Sequence, residues 1–146
     1  MTIRIPGQPH CQGRPRFRRF KTATREFVST YDPAASRSWK GAAQVHMQEA
    51  LRAAGAAAPF VPVGPAQVRV LAVFQCPTSE QKKRTPVPRR PHAKRGDADN
   101  IAKAVKDAAN GILWLDDGQV ARLVVEKWIG AQGEAPYVEV TVEPLA

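Results

Sequence analysis

The segment DADNIAKAVKDAANGILWLDDGQV (residues 97–120) contains a helix and the turn that leads the chain out of it. Ile101, Ala104, Val105, Ala108 and Ile112 recur at the spacing of one helical face and are expected to be buried. Asn110-Gly111 supplies the stop, because both residues tolerate the left-handed conformation that ends helices. The polar residues are equally informative. The chain has 13 Asp and Glu in 146 residues, yet five Asp fall between 97 and 117: Asp97, Asp99, Asp107, Asp116 and Asp117. One pair stands where loop becomes helix, and another where the chain turns into the next strand. A dozen helical residues span roughly 18 Å. The two pairs therefore meet only if the strand after Asp117 runs back along the helix, or a neighbouring strand lies between.

On the amino-terminal side, TIRI (2–5) alternates like a half-buried strand, and residues 6–30, rich in Pro, Gly and Arg, read as a long, partly extended loop. The stretch 31–55 predicts a first helix, with Asp32 as cap, Pro33 at its first position and Gly55 at its end. Its expected buried face is Ala35, Trp39, Ala42, Ala43, Met47, Ala50, Leu51 and Ala54. A proline-broken connector leads to QVRVLAVFQ (67–75), apolar enough for a central strand. Residues 77–96 lack a hydrophobic period and read as a mobile basic loop that orders on binding. After the quoted segment come two strands, QVARLVVEKWIG (119–130) and APYVEVTVEP (135–144), joined by a turn near Gly130–Gly133. The order β-α-β-α-β-β predicts an α+β fold: one domain, two helices packed on a small mixed sheet.

Charge narrows the function. Twenty-two Lys and Arg against 13 Asp and Glu give a net charge of +9, which favours a polyanionic partner such as nucleic acid. The candidate DNA-binding residues are Arg14, Arg16, Arg18 and Arg19 in one basic stretch. Lys82, Lys83, Arg84, Arg89, Arg90, Lys94 and Arg95 make up the other. No run of about 18 apolar residues exists to span a membrane. The first ten residues lack a signal peptide's apolar core, and Cys11 and Cys76 fit no paired motif. These features suit the cytoplasm of a bacterium or of a phage-infected cell. His10, Cys11, Cys76 and His92 match no zinc spacing. Trp39, Trp114 and Trp128 suit the core, whereas Phe17 and Phe20, amid arginines, suit base stacking.

If the aspartate pairs meet, their mutual repulsion calls for cations, and hard divalent Mg²⁺ or Mn²⁺ suits oxygen donors. Lys103 lies one turn beyond Asp99 on the same face, where an ammonium can offset charge on a phosphate. The simpler readings are that Asp97 or Asp99 is an N-cap, that WLDDG is a turn, and that Asp107 is a solvated charge. Capping accounts for one of the first two aspartates alone, less well for both.

The run Asp97-Ala98-Asp99-Asn100, Lys103, then Trp114-Leu115-Asp116-Asp117-Gly118-Gln119-Val120 resembles the core motif of RusA-type Holliday junction resolvases. The opening IPGQPHCQGRPRF is similar to phage and prophage members of that family. The resemblance implies a homodimeric, Mg²⁺-dependent endonuclease (Mn²⁺ can substitute) that resolves four-way DNA junctions by paired symmetric nicks. It implies Asp97, Asp99 and Asp117 as essential metal ligands, Asp116 as completing the acidic cluster, and Lys103 as the catalytic lysine. Gly96 departs from the Arg that members often carry before the first Asp. Two rival readings are a metal-dependent nuclease for other branched or flap DNA, and a non-catalytic basic nucleic-acid-binding protein.

Overall fold

The computed structural model describes the whole chain except Arg14, Pro15, Asp32 and Arg95, and the side chain of Tyr31. The Asp32 cap and the DNA contacts expected of Arg14 and Arg95 therefore lie outside the described residues. Among the described residues seven strands and two helices follow in the order β1 (Thr2–Pro6), β2 (Arg16–Lys21), β3 (Glu26–Tyr31), α1 (Ala34–Ala53), β4 (Ala66–Phe74), β5 (Arg90–Pro91), α2 (Ala98–Ala109), β6 (Val120–Ile129) and β7 (Tyr137–Pro144). Five of the strands form a mixed sheet ordered β1-β7-β4-β6-β5. β4 runs parallel to β6 and antiparallel to β7, and it is the central strand, as its composition predicts. The fold is α+β, as expected.

Register explains which face of the sheet is covered. Val68, Val70 and Ala72 of β4 stand opposite Val142, Val140 and Val138 of β7, and all six are fully buried. Ile3 and Ile5 of β1 extend that row, opposite Val140 and Val138. On the other face polar residues at the β1–β7 edge are exposed or half-buried: Arg4 pairs with Glu139 at 2.7 Å, and the Thr2 and Thr141 hydroxyls meet at 3.0 Å. One face is packed and the other wet, as in a half-buried antiparallel sheet.

The helices close the apolar side. Ile101, Ala104, Val105, Ala108 and Ile112 are all buried, and Ala102 and Ala109 join them. α1 presents a narrower stripe than expected, namely Ser36, Ala43, Met47 and Leu51. Ala35, Ala42 and Ala54 are exposed, and Trp39 and Ala50 are half-buried. Alanine loses little by facing water, so an alanine-rich helix does not reveal its full face by composition. Pro33 is the N-cap residue of α1 and precedes its first helical position. At the other end, Gly55 N–H donates to Arg52 O (3.1 Å) and Ala56 N–H to Leu51 O (2.9 Å), the double bond of a Schellman stop. Gly55 takes the left-handed φ of +65° that this stop requires.

Two stretches read as loops are more regular than expected. Within 6–30, β2 and β3 pair as an antiparallel hairpin from Arg16↔Tyr31 to Lys21↔Glu26, and its turn is closed by Thr22 N–H to Arg25 O at 2.8 Å. Every side chain described in both strands is exposed, so no apolar alternation marked them in the sequence. Within 77–96, a 3-10 turn (Thr78–Glu80) and the short β5 are braced by ion pairs. Arg90 pairs with Glu80, Lys94 with Glu80 at 3.2 Å, and Arg89 with Glu134. Among the described residues no helix is long and apolar enough to cross a membrane.

Candidate active site

The site is built along the outer side of α2. Asp99, Lys103, Lys106 and Asp107 follow one another there at positions i, i+4, i+7 and i+8, which share a helical face. With Asp117 and Leu123 they line an open cleft of about 420 Å³, floored by Ala102. The chain after α2 does return: β6 starts just beyond Asp117, packs against α2 and runs parallel to β4.

The turn that delivers Asp117 is held from three sides. Val61 N–H donates to Leu113 O (2.9 Å) and Phe60 N–H to Ile112 O (3.0 Å), so the connector before β4 clamps the chain after α2. Gln119 Nε2 donates to the carbonyls of Val61 (3.3 Å) and Gly64 (2.9 Å), and its Oε1 accepts from Leu115 N–H at 2.7 Å. Trp114, wholly buried, donates its Nε1–H to Asp117 Oδ1 at 3.1 Å. Its core placement is as expected, and it also fixes one oxygen of the carboxylate. The other, Oδ2, lies 3.7 Å from Lys106 Nζ.

Asp97 and Asp116, the first aspartate of each pair, do not line the cleft. Asp116 serves its own turn: Oδ1 accepts from Gly118 N–H at 2.7 Å, and Gln119 Oε1 accepts from Asp116 N–H at 3.0 Å, a reciprocal capping box. Asp97 occupies the N-cap position of α2, yet its side chain makes no capping hydrogen bond. Both Asp97 and Asp99 lie near Cys11. Burial pushes that thiol's pKa up, Lys127 opposes the shift, and the two carboxylates add to it. Lys127 also pins the approach to Asp97, its Nζ donating to Gly96 O at 2.6 Å and Lys94 O at 3.3 Å. Gly96 itself has φ +102°, and a Cβ there would stand 3.0 Å from Cys11 Sγ and 3.5 Å from Phe74. No Arg fits that position without movement, which accounts for the glycine.

Sequence reasoning missed Lys106, Lys127 and the cleft-lining role of Asp107. The i, i+4, i+7, i+8 stripe marks Lys106 and Asp107 in the sequence, but nothing local marks Lys127. Of the candidate DNA contacts, Arg16, Arg18 and Arg19 are exposed on β2, and Lys82, Lys83 and Arg84 are exposed in the second basic stretch. Arg89, Arg90 and Lys94 are engaged with Glu134 and Glu80, and Arg89 also donates to Tyr137 Oη at 3.0 Å.

Among the described residues no group of three or more His, Cys, Asp or Glu stands close enough to hold a metal ion. The donors nevertheless suit Mg²⁺, which keeps several waters and is commonly held by one or two carboxylates together with substrate phosphate. Asp99 and Asp117 supply hard oxygens to one cleft, and the Asp97 carboxylate is not consumed by capping.

A basic α+β protein with carboxylates and lysines sharing one open cleft has the outline of a phosphodiester-cleaving enzyme. The comparisons define the class further: the endodeoxyribonuclease RusA family matches residues 6–143. The chain belongs to that family of nucleases. It is also 33% identical over 148 residues to the uncharacterized protein YqaN of Bacillus subtilis (strain 168), covering 97% of this chain and 94% of that one.

Proposed function

We propose that this single-domain protein is a Mg²⁺-dependent endodeoxyribonuclease that resolves four-way DNA junctions by paired symmetric nicks, working as a homodimer in the cytoplasm. The observation that carries the reading is the shared cleft of Asp99, Lys103 and Asp117 in a chain of the RusA family. Asp99 and Asp117 in the cleft are the metal-holding carboxylates, joined by Asp97 and Asp116 from outside it, and Mn²⁺ can take the place of Mg²⁺. The bound ion supplies Lewis-acid activation of water and neutralises charge on the phosphate. Lys103, exposed on the same wall, binds the scissile phosphate and offsets the charge that builds during displacement. Trp114 orients Asp117, and Lys127 orients the peptide that precedes Asp97. Arg16, Arg18, Arg19, Lys82, Lys83 and Arg84 hold the phosphate backbone of the arms. A two-fold dimer presents two equivalent sites to two equivalent strands.

The test compares wild type with Asp99→Asn on synthetic four-way junctions, with and without Mg²⁺. Wild type is expected to give paired nicked duplexes, and the variant to bind the junction without cutting it. Binding with no cleavage in any divalent metal overturns the enzymatic reading. Equal cutting of junctions, flaps and plain duplex replaces it with a general nuclease.

A further inference from the structure

The β2–β3 hairpin presents its side chains to solvent on both faces. Phe17 is 73% exposed, Val28 56%, Phe27 51% and Phe20 38%. An isolated two-stranded hairpin is marginal in water, and such large apolar side chains are normally covered when the protein is at work. The register sorts them. Arg18, Phe20, Phe27 and Ser29 share one face, and Phe17, Arg19, Val28 and Thr30 share the other. On the first face the Phe20 and Phe27 rings stack at 5.8 Å, and the Arg18 guanidinium lies 5.3 Å from the Phe20 ring centre. An open cleft of about 380 Å³, lined by Arg18, Phe20, Ser29 and Arg37, separates this face from the first turn of α1.

We infer that this hairpin is a base-stacking arm, which takes the unpaired or unstacked nucleobases at the branch point of the DNA onto Phe20 and Phe17. The inference rests on the junction-cleaving reading above and adds the part of the substrate that confers structure selectivity. Charge decides between occupants. The hairpin carries Arg16, Arg18, Arg19, Lys21 and Arg25 against the single carboxylate of Glu26. A second copy of the same hairpin would bring like charge to like charge, whereas nucleic acid brings phosphates to the arginines and flat π-faces to the phenylalanines. A ring flanked by guanidinium groups is the surface on which bases stack without regard to sequence. That tolerance suits an enzyme that selects shape.

The test measures binding in EDTA, so that no strand is cut, using a four-way junction, a plain duplex and a single-stranded oligo(dT). Phe17→Leu and Phe20→Leu are expected to weaken junction and oligo(dT) binding by roughly 5- to 150-fold. Duplex binding and the salt slope should stay the same. Arg18→Gln with Arg19→Gln should weaken all three ligands and flatten the slope per lost phosphate contact by about 0.9 on the duplex and junction and about 0.7 on oligo(dT). Phe17 is the most exposed of these rings, so its variant should fold as wild type does. Unchanged junction and oligo(dT) affinity in both phenylalanine variants overturns the stacking arm. So does a loss of dimer mass by sedimentation in those variants, which would make the hairpin a contact between copies. If wild type shows no preference for the junction over duplex, the junction reading fails. The oligo(dT) result then decides the hairpin's role independently.

Discussion

On the proposed metal site, Lys106 would compete with the ion for Asp117, and the competition has a calculable size. The two side chains are 29% and 39% exposed, with Nζ and Oδ2 3.7 Å apart. In water the Coulomb energy at that separation is about 1 kcal/mol, and measured pairs of such exposure give roughly 0.2–1 kcal/mol. Lys106→Gln keeps a good helix former but removes the ammonium, so Asp117 should bind Mg²⁺ or Mn²⁺ about 1.4- to five-fold more tightly. The same change loses the cation in the last turn of α2, where it favours the negative helix end. Together the two losses should lower stability by about 1 kcal/mol, a Tm shift of roughly 2–4 °C. Isothermal titration of Mn²⁺ into DNA-free protein measures the affinity. Lys40→Gln, an exposed lysine on α1, controls for net charge and should leave it unaltered. An unchanged affinity in Lys106→Gln would refute the competition. A weaker affinity would mean that Lys106 orients Asp117 for the metal.

The two outer aspartates should separate in thermal melts. Asp116→Ala removes the bond to Gly118 N–H and one half of the capping box, at a cost of about 0.5–2 kcal/mol. Asp97→Ala removes no capping bond and should change stability by less than about 0.5 kcal/mol while abolishing cleavage; a larger cost than that of Asp116→Ala would contradict the assignment. Acid stability should depend on the braces of the 77–96 segment. Hydrogen bonds from Lys94 and Arg90 hold the Glu80 pKa down, and one from Arg89 does the same for Glu134. Carboxylates with depressed folded pKa values contribute stability in full above their unfolded value, near 4.3. That contribution fades as pH falls through the lower folded values. Glu80→Gln with Glu134→Gln should therefore melt below wild type at pH 7 and converge with it toward pH 2.5. Parallel Tm curves across that range would show that these pairs do not set the acid limb.

How far the sequence exposed this structure depends on which residues paid for burial with visible pattern. α2 and β7 were legible because Ile101, Val105 and Ile112 fix one face of the helix and the valines of β7 alternate, and Asn110-Gly111 ends the helix where Gly111 takes φ +75°. The hairpin was not legible, since neither face is buried and its strands carry no apolar period. The wider face expected of α1 failed for a related reason, because alanine tolerates both environments. In the site, Asp99, Lys103 and Asp117 were identifiable from spacing and resemblance. Lys127 reaches the loop before Asp97 from a strand some thirty residues away, and such long-range contacts leave no local trace.

The aspartate pairs show where local rules stop being sufficient. By sequence alone either Asp97 or Asp99 can cap α2, and WLDDG reads as a turn whose aspartates are not told apart. The structure separates them: Asp116 accepts the backbone N–H that a cap should accept, and Asp97 does not. A helix that leaves a leading capping residue unused forgoes about 1 kcal/mol. The neighbouring backbone is nonetheless fixed with some care, by the Lys127 bond to Gly96 and by the close approach of Cys11 to that glycine. Rigid placement of a carboxylate that is withheld from the helix end is costly as a capping arrangement but suits a ligand, which needs an oxygen left available to the ion. A restored capping bond therefore supplies the discriminating experiment. Replacing Asp97 with Ser or Asn should stabilise α2 slightly if the serine or asparagine turns to the backbone, and should still eliminate metal-dependent cutting.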